Sequence, residues 1–217
     1  MATAEVPAPE PADQPADLSA PPDPDLQDYA AGLLDEVSDD DSHPLGPIGA
    51  SLDEAVDRIW NRLRGNPAMD RLFYTASELG DFSLIWHLLG AAKGVTSRRG
   101  TREATRLALA LGAESALVNG AVKSAFRRER PLHEDDRPHG LRQPLTSSFP
   151  SGHASAAFMA ATLLSERSRV KPVWYGLAAI VAASRIHVRI HHASDVLVGA
   201  GVGLALGRAI RKVFPLR

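Results

Sequence analysis

From Ser51 to Val213 the apolar residues recur at the three-and-four spacing of an α-helix, and no stretch sustains the period-2 alternation of a half-buried strand. That pattern confines the chain to an all-α fold, a helical bundle of about five to six helices. The first helix is amphipathic and covers residues 51–66. Ser51 and Glu54 have capping-box spacing, and Leu52, Val56, Ile59, Trp60 and Leu63 form one apolar stripe among charged neighbours, ending near Gly65-Asn66-Pro67. Further helical stretches are expected over 69–92, 102–126, 152–166, 173–184 and 192–213, which makes residues 67–217 one helical domain.

The first 50 residues read differently. They hold 12 of the 26 acidic residues, nine of the 16 prolines and none of the 24 Lys and Arg. Such a segment buries too little apolar surface to offset its ordering entropy, so residues 1–50 are expected to be a disordered acidic tail, with Tyr29 to Leu34 its one apolar island. The start lacks a basic n-region and an apolar h-region, so no signal peptide is expected. The chain has no Cys, which excludes disulfides and thiolate metal sites.

Gly and Ala crowd the later helices (Ala108, Ala110, Gly112, Ala178, Ala179, Gly199, Gly201, Gly203 and Gly207), as in close-packed membrane helices. The apolar runs are short and interrupted by Glu78, Asp81, His87, Glu114 and Asp195, as in a soluble bundle. The Gly/Ala-rich last helix with basic residues beyond it tips the expectation to a membrane-embedded, multi-pass protein of the cell membrane. The first helix is too short and too charged to span, since a bilayer needs ~20 mainly apolar residues.

Three groups of residues carry chemistry. Lys123, Arg127 and Arg130 lie at intervals of four and three and can share one helix face, a costly arrangement unless an anion lies against it; the competing reading is a solvated, cation-favouring helix end. Pro150-Ser151-Gly152-His153 opens a helix: Ser151 can cap it, Gly152 admits close approach to the backbone, free N–H groups there suit an anion, and His153 can carry a proton near neutral pH. Finally Ser184-Arg185 is followed by His191 and, four residues on, Asp195, which can hold one imidazole tautomer and leave the other nitrogen exposed. The competing reading of that pair is a cap, because His192 and Asp195 both sit near a helix start. Together these supply cations, N–H donors, a nucleophile and an acid, the requirements of phosphoryl transfer.

The order Lys-x6-Arg-Pro, Pro-Ser-Gly-His, Ser-Arg-x5-His-x3-Asp resembles the three-part signature of the type 2 phosphatidic acid phosphatase superfamily, which includes lipid phosphate phosphatases, bacterial acid phosphatases and vanadium haloperoxidases. The match is at Lys123, Arg130, Pro131, Pro150, Ser151, Gly152, His153, Ser184, Arg185, His191 and Asp195, and the resemblance spans about residues 70–210. It implies that His191 attacks phosphorus to give a phosphohistidine, that Asp195 orients it, and that His153 protonates the leaving alcohol and then helps activate water. It implies a phosphate held by Lys123, Arg130, Ser151, the Gly152 N–H and Arg185. No metal and no cofactor are expected.

The expected activity is therefore a metal-independent phosphatase acting on a phosphomonoester or diphosphate of a membrane lipid: phosphatidate-like, polyprenyl or a phosphorylated glycolipid. The partners are that lipid or isoprenoid phosphate and the membrane, with no nucleic acid. A soluble acid phosphatase, a haloperoxidase-like enzyme, for which 217 residues is short, and a non-catalytic membrane scaffold stand as alternatives. Lys and Arg gather at 93–106, 167–171 and 208–217, opposite the motifs in a bundle whose last five helices all cross; the positive-inside rule then puts the site and the acidic tail on the extracytoplasmic side.

Overall fold

The computed structural model describes residues 43–131 and 146–216. Residues 1–42 of the tail expected over 1–50, and most of the polar loop after Leu132, lie outside the described residues, whereas residues 46–50 of that tail are helical. Among the described residues there are seven α-helices and no strand. The all-α expectation holds, and the extra helix has a specific origin.

Helix α1, Gly46–Trp60, begins ahead of the expected Ser51. Pro47 sets its first turn, with φ suited to a helix start and no N–H to satisfy. Ser51 is inside the helix and its Oγ donates to the Ile48 carbonyl, so it caps nothing. Asp53, expected on the solvated face, is buried at 8% exposure. Asn66 then caps α2, Pro67–Gly80, accepting from Ala68 N at 3.0 Å and Met69 N at 3.3 Å.

The single helix expected over 69–92 is two. A 3-10 turn, Asp81–Ser83, separates α2 from α3, Leu84–Gly94, with Phe82 and Ser83 both in the left-handed region at φ 51° and 57°. Each such non-glycine residue costs on the order of 1 kcal/mol or more, so tertiary contacts must hold the kink. Helix α4, Arg98–Ser115, starts earlier than Arg102 because Ser97 caps it, and runs on as a π-helical segment, Ala116–Val122.

Helix α5, Gly152–Leu164, is the buried centre. Helices α4, α6 (Lys171–His187) and α7 (Ala193–Val213) all pack on it. The α5–α7 seam is the closest: a Cβ on Gly199 would stand 2.3 Å from the Ser151 carbonyl oxygen, and one on Gly203 2.1 Å from that of Ser155. Backbone therefore rests on backbone at the start of α5. Trp86, Leu107 and Met159 fill the core beside a run of alanines.

The bundle has two chemically different ends. At one, Arg106 bonds Glu166 and donates to the Phe214 carbonyl, and Arg211 lies 3.8 Å from Glu166, so the basic segments expected to cluster do so. The motif residues occupy the other end. Among the described residues one helix, α7, is long and apolar enough to cross a membrane by length and composition. The others are short, charged or broken, so the five crossings expected are not met by helix length.

Candidate active site

The second and third motifs are delivered by helix termini. Ser151 is the N-cap of α5: its Oγ accepts from Ala154 N at 3.4 Å, and its own N–H donates to the Asp195 carbonyl at 3.0 Å, tying the turn to α7. Gly152 follows, and a Cβ there would meet Asn119 Oδ1 at 2.6 Å, so a larger residue would have to displace the Asn119 side chain. His153 stands in the first turn of α5.

Arg185 lies in the last turn of α6, buried, donating to Ser77 Oγ with Asp81 Oδ1 3.9 Å away. Its carbonyl accepts from both Ile190 N and His191 N at 3.1 Å, in a turn that carries Arg189 at φ 50°. That turn places His191 just ahead of α7. Asp195 is the third residue of α7 and accepts from His192 N at 2.9 Å, so it does close a capping box. The same Oδ2 lies 3.5 Å from His191 Nδ1. This is longer than a good N–H···O bond, so Asp195 faces the ring rather than clasping it. Both readings of the His–Asp spacing, cap and orienter, describe the same carboxylate.

Burial pulls the His191 imidazole down to about 3; Arg185 and Arg130 reinforce this and Asp195 opposes it. The ring is therefore neutral at ordinary pH, the form a nucleophile needs.

The shared helix face expected for Lys123, Arg127 and Arg130 does not exist. The helix ends at Ser124, and residues 126–131 are not helical. Lys123 is buried at that helix end, Arg127 points to solvent, and Arg130 reaches His191 from the following segment. Its Nη1 donates to the Ile190 carbonyl at 2.9 Å and lies 3.5 Å from His191 Nε2; its Nη2 donates to the Thr146 carbonyl at 3.0 Å.

Lys123, Gly152, His153, Arg185 and His191 line one cavity of about 510 Å³. Arg130 lines an adjoining cavity of about 570 Å³, with His191 forming part of both walls. Ser151 and Asp195 stand behind, fully buried. Among the described residues no group of His, Asp and Glu is arranged to hold a metal ion.

Two further contacts were not read from the sequence. Asp81 Oδ1 lies 2.8 Å from His153 Nε2, which is what the strained kink between α2 and α3 accomplishes. Arg128 bridges Asp53 and Asp195. The one sequence signal for Asp81 is an acid directly after Gly80 in an apolar run; Arg128 is indistinguishable in pattern from its neighbour Arg127.

The PAP2 superfamily model matches residues 103–217. The decaprenylphosphoryl-5-phosphoribose phosphatase of Mycolicibacterium smegmatis is 35% identical over 140 residues, covering 63% of this chain and 74% of that protein. The lipid A 1-phosphatase of Porphyromonas gingivalis is 36% identical over 105 residues, 46% of this chain and 21% of that one. Among solved structures, Aquifex aeolicus LpxE superposes with a TM-score of 0.60 at 28% identity, over 73% of this chain and 93% of that one. The transmembrane PAP2 type phosphatidylglycerolphosphate phosphatase of Bacillus subtilis shares the fold, with a TM-score of 0.58 over 89% and 98% of the two chains at 24% identity.

Proposed function

Given that the chain belongs to the PAP2 superfamily and is a phosphatase, we propose that it hydrolyses a phosphomonoester on a lipid-linked sugar at a membrane surface, through a phosphohistidine on His191. The observation that carries this is the single cavity shared by Lys123, Arg185, the start of α5 at Gly152, and the two histidines.

The steps follow from the placement. The cations and the Gly152 N–H receive the non-bridging oxygens, which carry the charge of the transition state. The Nε2 lone pair of His191, the nitrogen away from Asp195, attacks phosphorus. As the P–O bond to the sugar breaks, His153 gives a proton to the departing oxygen; burial and then Arg185 push its imidazole down to about 4 while Asp81 opposes them, and the negative charge of a bound phosphate favours the protonated form needed here. Neutral His153 then takes a proton from water as that water attacks the phosphohistidine. Inorganic phosphate leaves, and His191 is restored.

A sugar leaving group is supported by two things. The relatives named above are phosphatases of decaprenylphosphoryl-5-phosphoribose and of lipid A. The cavity wall beyond the phosphate-facing residues is mixed: Asp81, Ser83, Ser115 and Asn119 offer hydrogen-bonding groups among Phe82, Leu111 and Ala156. Those lipid substrates, and the transmembrane PAP2 protein that shares the fold, support a membrane setting in which α7 crosses.

The test is phosphate release by purified protein in detergent with excess chelator. The panel is decaprenylphosphoryl-5-phosphoribose, phosphatidate, and polyprenyl mono- and diphosphate. Release from the sugar phosphate in preference to phosphatidate is expected. Activity lost to chelator, or retained by His191→Ala, would defeat the mechanism; preference for phosphatidate would defeat the substrate class.

A further inference from the structure

Helix α1 lies outside residues 103–217, yet its buried charge enters the site. Asp53 Oδ1 accepts from Ser194 N at 2.7 Å; its Oδ2 accepts from Ser194 Oγ at 2.7 Å and from Arg128 Nη2 at 2.6 Å, and lies 3.0 Å from His43 Nε2. Ser194 N is one of the N–H groups that the first turn of α7 leaves without a helical partner. A residue of α1 therefore caps the helix that carries Asp195. Arg128 completes the link: its Nη1 donates to Asp195 Oδ1 and, at 2.8 Å, to Ser194 Oγ.

The charge count explains why two carboxylates are needed. Asp195 is wholly buried and faces His191 with one oxygen while Arg128 holds the other. An arginine paired with Asp195 alone would neutralise it and weaken its pull on His191. Shared with Asp53, Arg128 fixes the orientation of Asp195 and leaves the trio with one net negative charge beside the imidazole.

From this we infer that Arg128 and Asp53 are positioning residues for His191, acting through Asp195, and that α1 is part of the catalytic apparatus rather than a surface attachment. The inference rests on His191 being the nucleophile.

The experiment uses the full chain in detergent, with decaprenylphosphoryl-5-phosphoribose as substrate. Arg128→Ala is expected to lower kcat about 100-fold, with KM changed less than about threefold, as for misplacement of a reacting group by about 1 Å. Arg128→Lys recovers part of the loss. Arg128 lines the cavity of about 570 Å³, so guanidinium ion at tens of millimolar should reach the vacated position. It should restore kcat of Arg128→Ala at least about 10-fold while leaving His191→Ala inactive. Asp53→Asn keeps an oxygen for Ser194 and removes the charge; kcat should fall about 10-fold, and little further when combined with Arg128→Ala.

Unchanged kcat in both variants overturns the inference while the phosphatase reading stands. So does a loss that tracks melting temperature and resists guanidinium. If Asp53→Asn keeps its kcat but leaves phospholipid vesicles, α1 is a membrane-surface helix and the inference is wrong. Absence of wild-type release from the whole panel removes the His191 reading and this inference with it.

Discussion

His191 is held as a neutral imidazole among cations, so in the proposed mechanism its availability does not set the acid limit of activity, and the proton comes from His153 on the other side of the phosphate. Asp81 is the residue whose removal should show this division most clearly. Asp81→Asn keeps a hydrogen-bond acceptor near His153 Nε2 but removes the negative charge that supports the imidazolium. Its kcat is expected to fall about 10- to 100-fold, the scale of general acid–base assistance, with the loss greatest for substrates whose leaving group needs a proton. A chemically activated aryl phosphate should lose less, because only the water step then still needs His153, and an equal loss on both substrates would argue against the acid role. Asp53 makes a separate statement about pH and stability. Burial pushes its carboxyl up, but bonds from Arg128, His43 and Ser194 outweigh burial and leave it below its ordinary value. A group of this kind stabilises the fold above its unfolded pKa, near 4, and loses that contribution as pH falls through the lower folded value. Melting temperature measured from pH 7 to pH 3 should therefore fall more steeply below about pH 4 in the wild type than in Asp53→Asn, which starts lower. The motif residues were legible in the sequence because their types and spacing state a chemistry. Asp81, Arg128 and Asp53 were not, because each acquires its meaning from a partner dozens of residues away.

At the scale of elements, the α5–α7 seam carries the site. The Ser151 carbonyl touches Gly199 while the Ser151 N–H donates to the Asp195 carbonyl, so the two helix starts form one rigid corner. Gly203→Ala introduces a Cβ only 2.1 Å from the Ser155 carbonyl, where a backbone atom must yield. It should cost about 1–3 kcal/mol, read as a lower denaturant midpoint, with reduced kcat because the corner opens. Gly201→Ala, on the same helix with no atom within 4 Å of the new Cβ, is the control and should be neutral or slightly stabilising. The helical periodicity located α5, α6 and α7 closely, since each is long and framed by turns. It placed the start of α1 late because a Ser-x-x-Glu pattern outweighed Pro47, and it joined α2 to α3 because nothing local in Asp81-Phe82-Ser83 demands a break. The left-handed pair at Phe82 and Ser83 is imposed by the fold, through Asp81 on His153 and Arg185. Likewise, Lys123 and Arg130 meet the site from different segments, a geometry that helical spacing alone could not anticipate.

On the scale of the whole molecule, the bundle separates a basic end, tied together by Arg106, Glu166, Arg211 and the residues after Val213, from an end that holds the catalytic cluster. If α7 crosses a bilayer, the positive-inside rule predicts a cytoplasmic basic end and an outward-facing site. The chain lacks Cys, so single cysteines report cleanly. Phe82→Cys, exposed near the cavity mouth, should react with an impermeant thiol reagent on intact cells, and Val170→Cys, exposed at the basic end, only after lysis. The reverse pattern would turn the molecule over. The proposed mechanism requires a covalent bond between His191 and phosphorus, and that bond can be trapped. Protein mixed with substrate carrying radioactive phosphorus in excess chelator, then quenched in alkali, should hold label on the polypeptide that is stable to base and released by acid. His191→Ala should hold none, and His153→Ala should accumulate label when the leaving group is an activated aryl alcohol. Label retained by His191→Ala, or phosphate released by the wild type with no labelled protein at any time of quench, would contradict the account.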